Sequence, residues 1–118
     1  MYKELEVGGD KRKIAFLSNG LTPLFYKQVF KTDLLKALNE NGEFSLASDK
    51  IPELGFIMMK QAEKADMTKV NYEGYLEWLS GFEPLDLTLV SPEITDIYFS
   101  NSIPSEEPKK KGRGKAKG

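Results

Sequence analysis

The sequence predicts an α+β fold, mainly helical. An N-terminal β-hairpin packs on a small bundle of four to five helices, and a disordered basic tail follows. Three observations predict it. Apolar and charged residues alternate on both sides of a glycine turn between residues 2 and 17. After that, polar caps and early prolines open a series of segments with apolar residues every three or four positions. Finally, residues 104–118, PSEEPKKKGRGKAKG, offer only Ala116 to a core. The expected domains are one compact unit over 1–103, with the hairpin at 2–17 and helices at 22–102, and a tail over 104–118.

The hairpin comes first. Leu5 and Val7 alternate with Glu4 and Glu6. Gly8, Gly9 and Asp10 tolerate positive φ and make the turn. Ile14 and Phe16 alternate with Lys13 and Ala15 on the return. Glu4 and Glu6 face a strand carrying Lys11, Arg12 and Lys13, which favours pairing. A lone hairpin is not stable in water, so its Leu5/Val7/Ile14/Phe16 face must pack on something else.

Helical signals follow. Thr22 and Pro23 read as an N-cap and first helical residue, with Phe25, Val29 and Phe30 behind them. Thr32 and Asp33 offer a second cap before Leu34, Leu35 and Leu38, so this region is one bent helix or two short ones. Asn39 to Gly42 ends it. Ser48 and Asp49 are expected to cap the next helix, with Pro52 in its first turn. Ile51, Leu54, Met58, Ala62 and Ala65 form its buried stripe, which Phe56, Ile57 and Met59 widen. That helix is central, with its polar end, Lys60 to Asp66, turned outward. Asn71 or Thr68 caps a helix from Tyr72 to Leu79 that Gly81 ends. Glu83 and Pro84 turn the chain. Ser91, Pro92 and Glu93 open a last helix with Ile94, Ile97 and Tyr98 on its apolar face, and Pro104 closes the body.

Composition narrows the function. The chain has no histidine and no cysteine. It therefore lacks the commonest general base, the commonest metal ligand, thiolate chemistry and disulfides. Glu73 and Glu77 lie one helical turn apart, but nothing converges on them, so they read as a solvated face rather than an acid/base pair. Asp86, Glu93 and Asp96 do not fit calcium-loop spacing. Gly8-Gly9 has no phosphate-loop Lys-Ser/Thr after it. No enzyme activity, cofactor or metal is expected. No apolar run approaches the roughly 18 residues of a membrane span, and the N-terminus has no apolar signal-peptide core.

Charge is divided between body and tail. The chain holds 17 cations and 18 anions. Six of the cations, Lys109, Lys110, Lys111, Arg113, Lys115 and Lys117, sit in the tail with only Glu106 and Glu107. The body is therefore acidic and the tail basic. The tail has no aromatic ring for base stacking, so sequence-blind phosphate contact is the most it offers nucleic acid. Tyr72, Tyr75, Trp78 and Phe82 form the densest aromatic cluster. Helical spacing makes most of it core; the remainder is a candidate partner anchor, and the residues singled out are Tyr75, Trp78 and Phe82 together with Met58.

The stretches YKELEVGGDKRKIAF, LGFIMMKQAEKAD, YLEWLSGF and PEITDIYFSN, with the Lys/Gly-rich end, resemble the tail assembly chaperones of long-tailed (siphovirus-type) phages of Gram-positive hosts. The resemblance runs over nearly the whole chain and carries no catalytic motif. It implies a non-enzymatic protein of the host cytoplasm, not part of the mature virion. Such proteins coat the tape measure protein and are released as tail tube protein polymerises around it. Self-association is left open. The resemblance also implies an extended form made by a programmed −1 ribosomal frameshift near the end of the short frame. Here Lys110-Lys111 permits the slippery heptamer A AAA AAG, and Gly114-Lys115 permits G GGA AAG. One of these heptamers, followed by a long open −1 frame, is expected in the gene. The competing reading is a small nucleic-acid-associated regulatory protein that uses the basic tail.

Overall fold

The computed structural model describes residues 1–40 and 45–102, the last two by backbone alone. Two strands, β1 (Tyr2–Val7) and β2 (Arg12–Leu17), pair antiparallel, with Leu5 opposite Ile14 and Glu6 opposite Lys13. Glu4 faces Ala15, so only Glu6 has a cation directly across the ladder. The turn uses positive φ at Gly8 and Lys11, closed by the Lys11 amide donating to the Gly8 carbonyl at 3.0 Å. A Cβ on Gly8 would stand 3.0 Å from an Asp86 carboxylate oxygen, so both backbone and packing require glycine there. As the alternation predicts, Leu5, Val7, Ile14 and Phe16 are buried.

Six helices follow among the described residues: α1 (Thr22–Phe30), α2 (Leu34–Glu40), α3 (Ile51–Ala62), α4 (Tyr72–Leu79), α5 (Asp86–Leu89) and α6 (Ser91–Ser102). A single 3-10 turn, Met67–Lys69, precedes α4. This is the hairpin-on-helices α+β architecture the sequence predicts, with one short helix, α5, more than expected. Lys31, at φ 59°, separates α1 from α2, and Asp33 Oδ1 accepts from the Leu35 and Lys36 amides. The region is therefore two short helices. Asn71 caps α4 by accepting from the Gly74 amide at 2.8 Å. Thr68 instead belongs to the 3-10 turn, where Asp66 accepts from its amide.

Three predicted caps shift: Ser91 is the first residue of α6, with its hydroxyl donating to the Leu87 carbonyl at 2.9 Å, and two others move as well. Thr22 is the first residue of α1 rather than its cap, and Leu21 holds the cap position without a side-chain bond. The Thr22 hydroxyl turns inward instead, accepting from the Asn19 amide and donating to Gln61 Oε1 at 2.7 Å. At α3 the cap position is Lys50, not Ser48 or Asp49, because 48–50 form a turn ahead of the helix. In each case proline fixes the first turn and the polar neighbour is left free for other contacts.

Helix α3 is the centre. It packs against β2, α1 and α6, and buries Leu54, Phe56, Ile57, Met58 and Met59. Gly55 lets α6 approach, since a Cβ there would lie 3.3 Å from Ile94 Cδ1. The Tyr26 hydroxyl donates to Glu53 at 2.6 Å, and the Ser18 hydroxyl to the Ile97 carbonyl at 2.8 Å. These bonds tie α1 to α3 and the end of β2 to α6. Lys64, at φ 58°, ends the α3 run before Ala65, so Ala65 does not continue the stripe. The polar end is not wholly outward: Gln61 is buried. The predicted tail over 104–118, the body boundary at 103, and Asn41 and Gly42 lie outside the described residues.

Candidate functional site

Aromatic rings form a continuous ladder from the core to the surface. Phe30 meets Tyr26 at 5.1 Å between centroids and Tyr75 at 5.0 Å. Phe56 meets both Tyr75 and Trp78 at 5.4 Å. Trp78 then meets Phe82 edge-on at 4.9 Å. The Arg12 guanidinium lies 4.5 Å above the Phe82 ring and donates to the Gly81 carbonyl at 3.0 Å. Each contact contributes roughly 0.5–1.5 kcal/mol beyond area burial. The ladder thus fixes α4 to α1, α3 and the hairpin.

The four predicted anchors divide. Met58 is fully buried in α3, and Tyr75 is only 5% exposed. Met58 is therefore core, and no partner can reach it without unfolding. Tyr75 acts as the inward rung of the ladder. Trp78 and Phe82 are half-buried: Trp78 lies between Phe56 and Phe82, and the Arg12 guanidinium covers the Phe82 ring. Two residues outside the predicted set stand beside them on α4. Tyr72 is 50% and Leu76 47% exposed, one turn apart on the same face. Their i, i+4 spacing was the available signal. It was obscured because Tyr72, Tyr75, Leu76, Trp78 and Leu79 share one broad apolar face, and spacing does not say which flank of that face meets solvent.

A groove of about 310 Å³ runs beside Trp78, between β2 and the end of α3. Met59, Ala62 and Trp78 give it an apolar floor, and Arg12, Lys13 and Lys60 stand along it with Glu63 as the one carboxylate. Lys60 is 3.6 Å from Glu63.

Burial, then the hydrogen bond to Glu53, pushes the Tyr26 phenol well above the usual value near 10, and burial does the same to Tyr75. Both are held protonated, the opposite of what a base requires. Glu73 and Glu77 are exposed on α4. Among the described residues no group of three or more carboxylates gathers to hold a metal ion, and no helix is long and apolar enough to cross a membrane. The frameshift-candidate positions Lys110, Lys111, Gly114 and Lys115 lie outside the described residues. Compared with known proteins, the chain matches no family model, no curated protein and no solved structure.

Proposed function

We propose that this chain is a tail assembly chaperone that coats the tape measure protein of a long-tailed phage until tail tube protein replaces it. The observation that carries the reading is the apolar flank of α4 beside the buried Tyr75. Tyr72 and Leu76 are half exposed there, while rings at Tyr75 and Phe56 hold the helix rigid from behind. A tape measure presents a long apolar-striped helical surface that aggregates if left bare. Many shallow aromatic contacts, each weak, cover such a surface and still release it when the tube subunits arrive. The acidic body keeps the complex soluble. The methionine contribution that the sequence suggested drops out, since Met58 and Met59 are buried. The anchors are Tyr72, Leu76, Trp78 and Phe82.

The test is suppression of aggregation of a purified tape measure fragment, followed by light scattering. Tyr72→Ser with Leu76→Ser removes the exposed anchors together with the Tyr72 ring contacts to Phe30 and Tyr75, and leaves the rungs formed by Phe30, Tyr75, Phe56 and Trp78 in place. We expect the double variant to keep its far-UV circular dichroism and a cooperative unfolding transition at a somewhat lower midpoint, and to lose most of the protection. Unchanged protection by the folded double variant refutes this surface. No protection by the wild-type chain at any ratio refutes the function.

A further inference from the structure

We propose that the outer edge of β2 and the groove beside it take an extended, acidic peptide segment of a partner protein as a third strand. The argument starts from the hydrogen-bond register. Met1 and Ser18 exchange both bonds, at 2.8 and 2.7 Å. In an antiparallel pair such exchanging pairs recur every second residue. The next ones are Lys3 with Phe16, Leu5 with Ile14 and Val7 with Arg12. The N–H and C=O groups of Lys13, Ala15 and Leu17 therefore point away from β1. The sheet has two strands, and among the described residues no hydrogen bond reaches the outward groups of Lys13 and Ala15. This is an open template for strand addition.

The groove runs along this edge, from Arg12 to Ala15. Its volume of about 310 Å³ suits a few side chains of one strand and is too small for a helix with its side chains. An added strand alternates its side chains. Those turned inward meet Met59, Ala62 and Trp78; those turned outward stand beside Lys13. Arg12 already pairs with Asp10 at 3.6 Å and Lys60 with Glu63 at 3.6 Å, so the exposed Lys13 is the cation that an incoming strand meets. Carboxylates on the incoming strand fit it.

Other occupants fit less well. Residues 104–118 carry six cations against two carboxylates and are repelled by Arg12, Lys13 and Lys60. A second copy joined antiparallel, β2 to β2 about Ala15, sets Lys13 opposite Leu17 and brings no carboxylate to Lys13. The proposal does not rest on the chaperone reading: the two surfaces share Trp78, while Tyr72 and Leu76 lie on α4 outside the groove lining.

The probe is the peptide acetyl-EVEVTVEVE-amide, which alternates valine and carboxylate, titrated into the full chain. Trp78 is the only tryptophan and lines the groove, so its fluorescence reports occupancy. We expect saturable binding with Kd of about 0.1–1 mM. Amide exchange at Lys13 and Ala15 should slow by about tenfold or more at saturation, as new hydrogen bonds form. Lys13→Glu, an exposed change, should weaken binding about fivefold or more while the circular dichroism stays unchanged. The analogue N-methylated throughout, which cannot complete a ladder from either of its edges, should not bind. No fluorescence change up to about 2 mM overturns the proposal, as does equal binding of the N-methylated analogue or of acetyl-KVKVTVKVK-amide. Self-association of the chain alone that Lys13→Glu abolishes overturns the partner assignment. None of these outcomes bears on the aggregation assay, which reads Tyr72 and Leu76.

Discussion

Thr22→Val tests whether one buried hydroxyl holds the hairpin to the central helix. Thr22 is fully buried, and Gln61 is 7% exposed. The Thr22 hydroxyl accepts from the Asn19 amide at 3.0 Å and donates to Gln61 Oε1 at 2.7 Å. Gln61 Nε2 closes the ring by donating to Asn19 Oδ1 at 3.0 Å. That same oxygen accepts from the Leu21 amide at 2.8 Å. The loop between β2 and α1 is thereby tied to α3. Valine keeps the branched shape and removes the hydroxyl, so packing changes little and two polar groups lose a partner. Asn19 is exposed, so its amide finds water. Gln61 Oε1 does not, and a buried group left unpaired costs about 1–3 kcal/mol. The extra methyl returns at most about 0.8 kcal/mol. The expected net loss is about 2 kcal/mol, a large part of the roughly 5–15 kcal/mol total of a small domain.

The assay is urea unfolding read by the fluorescence of Trp78, with an unchanged slope as the sign that the transition stays two-state. The second arm is Thr22→Val with Gln61→Met. Removing both partners leaves no buried amide stranded, and Asn19 Oδ1 keeps its bond from Leu21. The double variant should therefore be more stable than the sum of the two single losses, by about 1 kcal/mol or more. Thr22→Val within about 0.5 kcal/mol of wild type, or strict additivity in the double variant, refutes the reasoning.

Two further outcomes follow from the same packing. Gly74→Ala should raise stability by about 0.5–1 kcal/mol, measured by urea midpoint; an added Cβ meets only Asn71 Oδ1 at 3.5 Å and Phe56 Cζ at 4.0 Å. The buried phenols set an alkaline limit. Tyr26 and Tyr75 keep their protons in the fold above the pH, near 10, at which unfolded phenols lose them. The native state then binds more protons, so stability falls as pH rises past about 10, by up to about 1.4 kcal/mol per pH unit for each tyrosine. Urea midpoints between about pH 9 and 11 check this, and Tyr26→Phe should flatten the fall.

Local signals carried most of the fold, and long-range pairing carried what they missed. The hairpin was legible because Leu5, Val7, Ile14 and Phe16 alternate with charge across a glycine turn, and all four are buried. Thr32-Asp33 offered a cap but left one bent helix or two short ones open; the positive φ of Lys31 decides for two, and Asp33 caps α2. Helix α5 was not legible, since four residues cannot display a helical period. The inward turn of Gln61 was not legible either, because its partner Thr22 lies 39 positions away. At the candidate site, periodicity identified an aromatic helix but not its outward side. Tyr75 faces Phe30 and Phe56, while Tyr72 and Leu76 face solvent. The free edge of β2 depends on no third strand pairing with it among the described residues, which no local pattern encodes.

Trp78 belongs to both surfaces and to the core contact that supports them. It stacks on Phe56, which is 1% exposed, meets Phe82 beneath Arg12, and lines the groove along β2. Trp78→Ala therefore removes a rung of the ladder, a wall of the groove and an apolar anchor at once. A loss of protection or of peptide binding in that variant assigns no role. The two surfaces separate only through residues that each holds alone. Tyr72 and Leu76 belong to the α4 side and leave the groove lining intact; Lys13 belongs to the groove and makes no ladder contact. A chain that loses tape measure protection with Tyr72→Ser/Leu76→Ser but retains the acidic peptide has two independent sites. If Lys13→Glu also abolishes protection, the tape measure itself must present an extended acidic segment beside its helices. In that case the β2 edge and the α4 face grip one partner, and their joint affinity exceeds either alone.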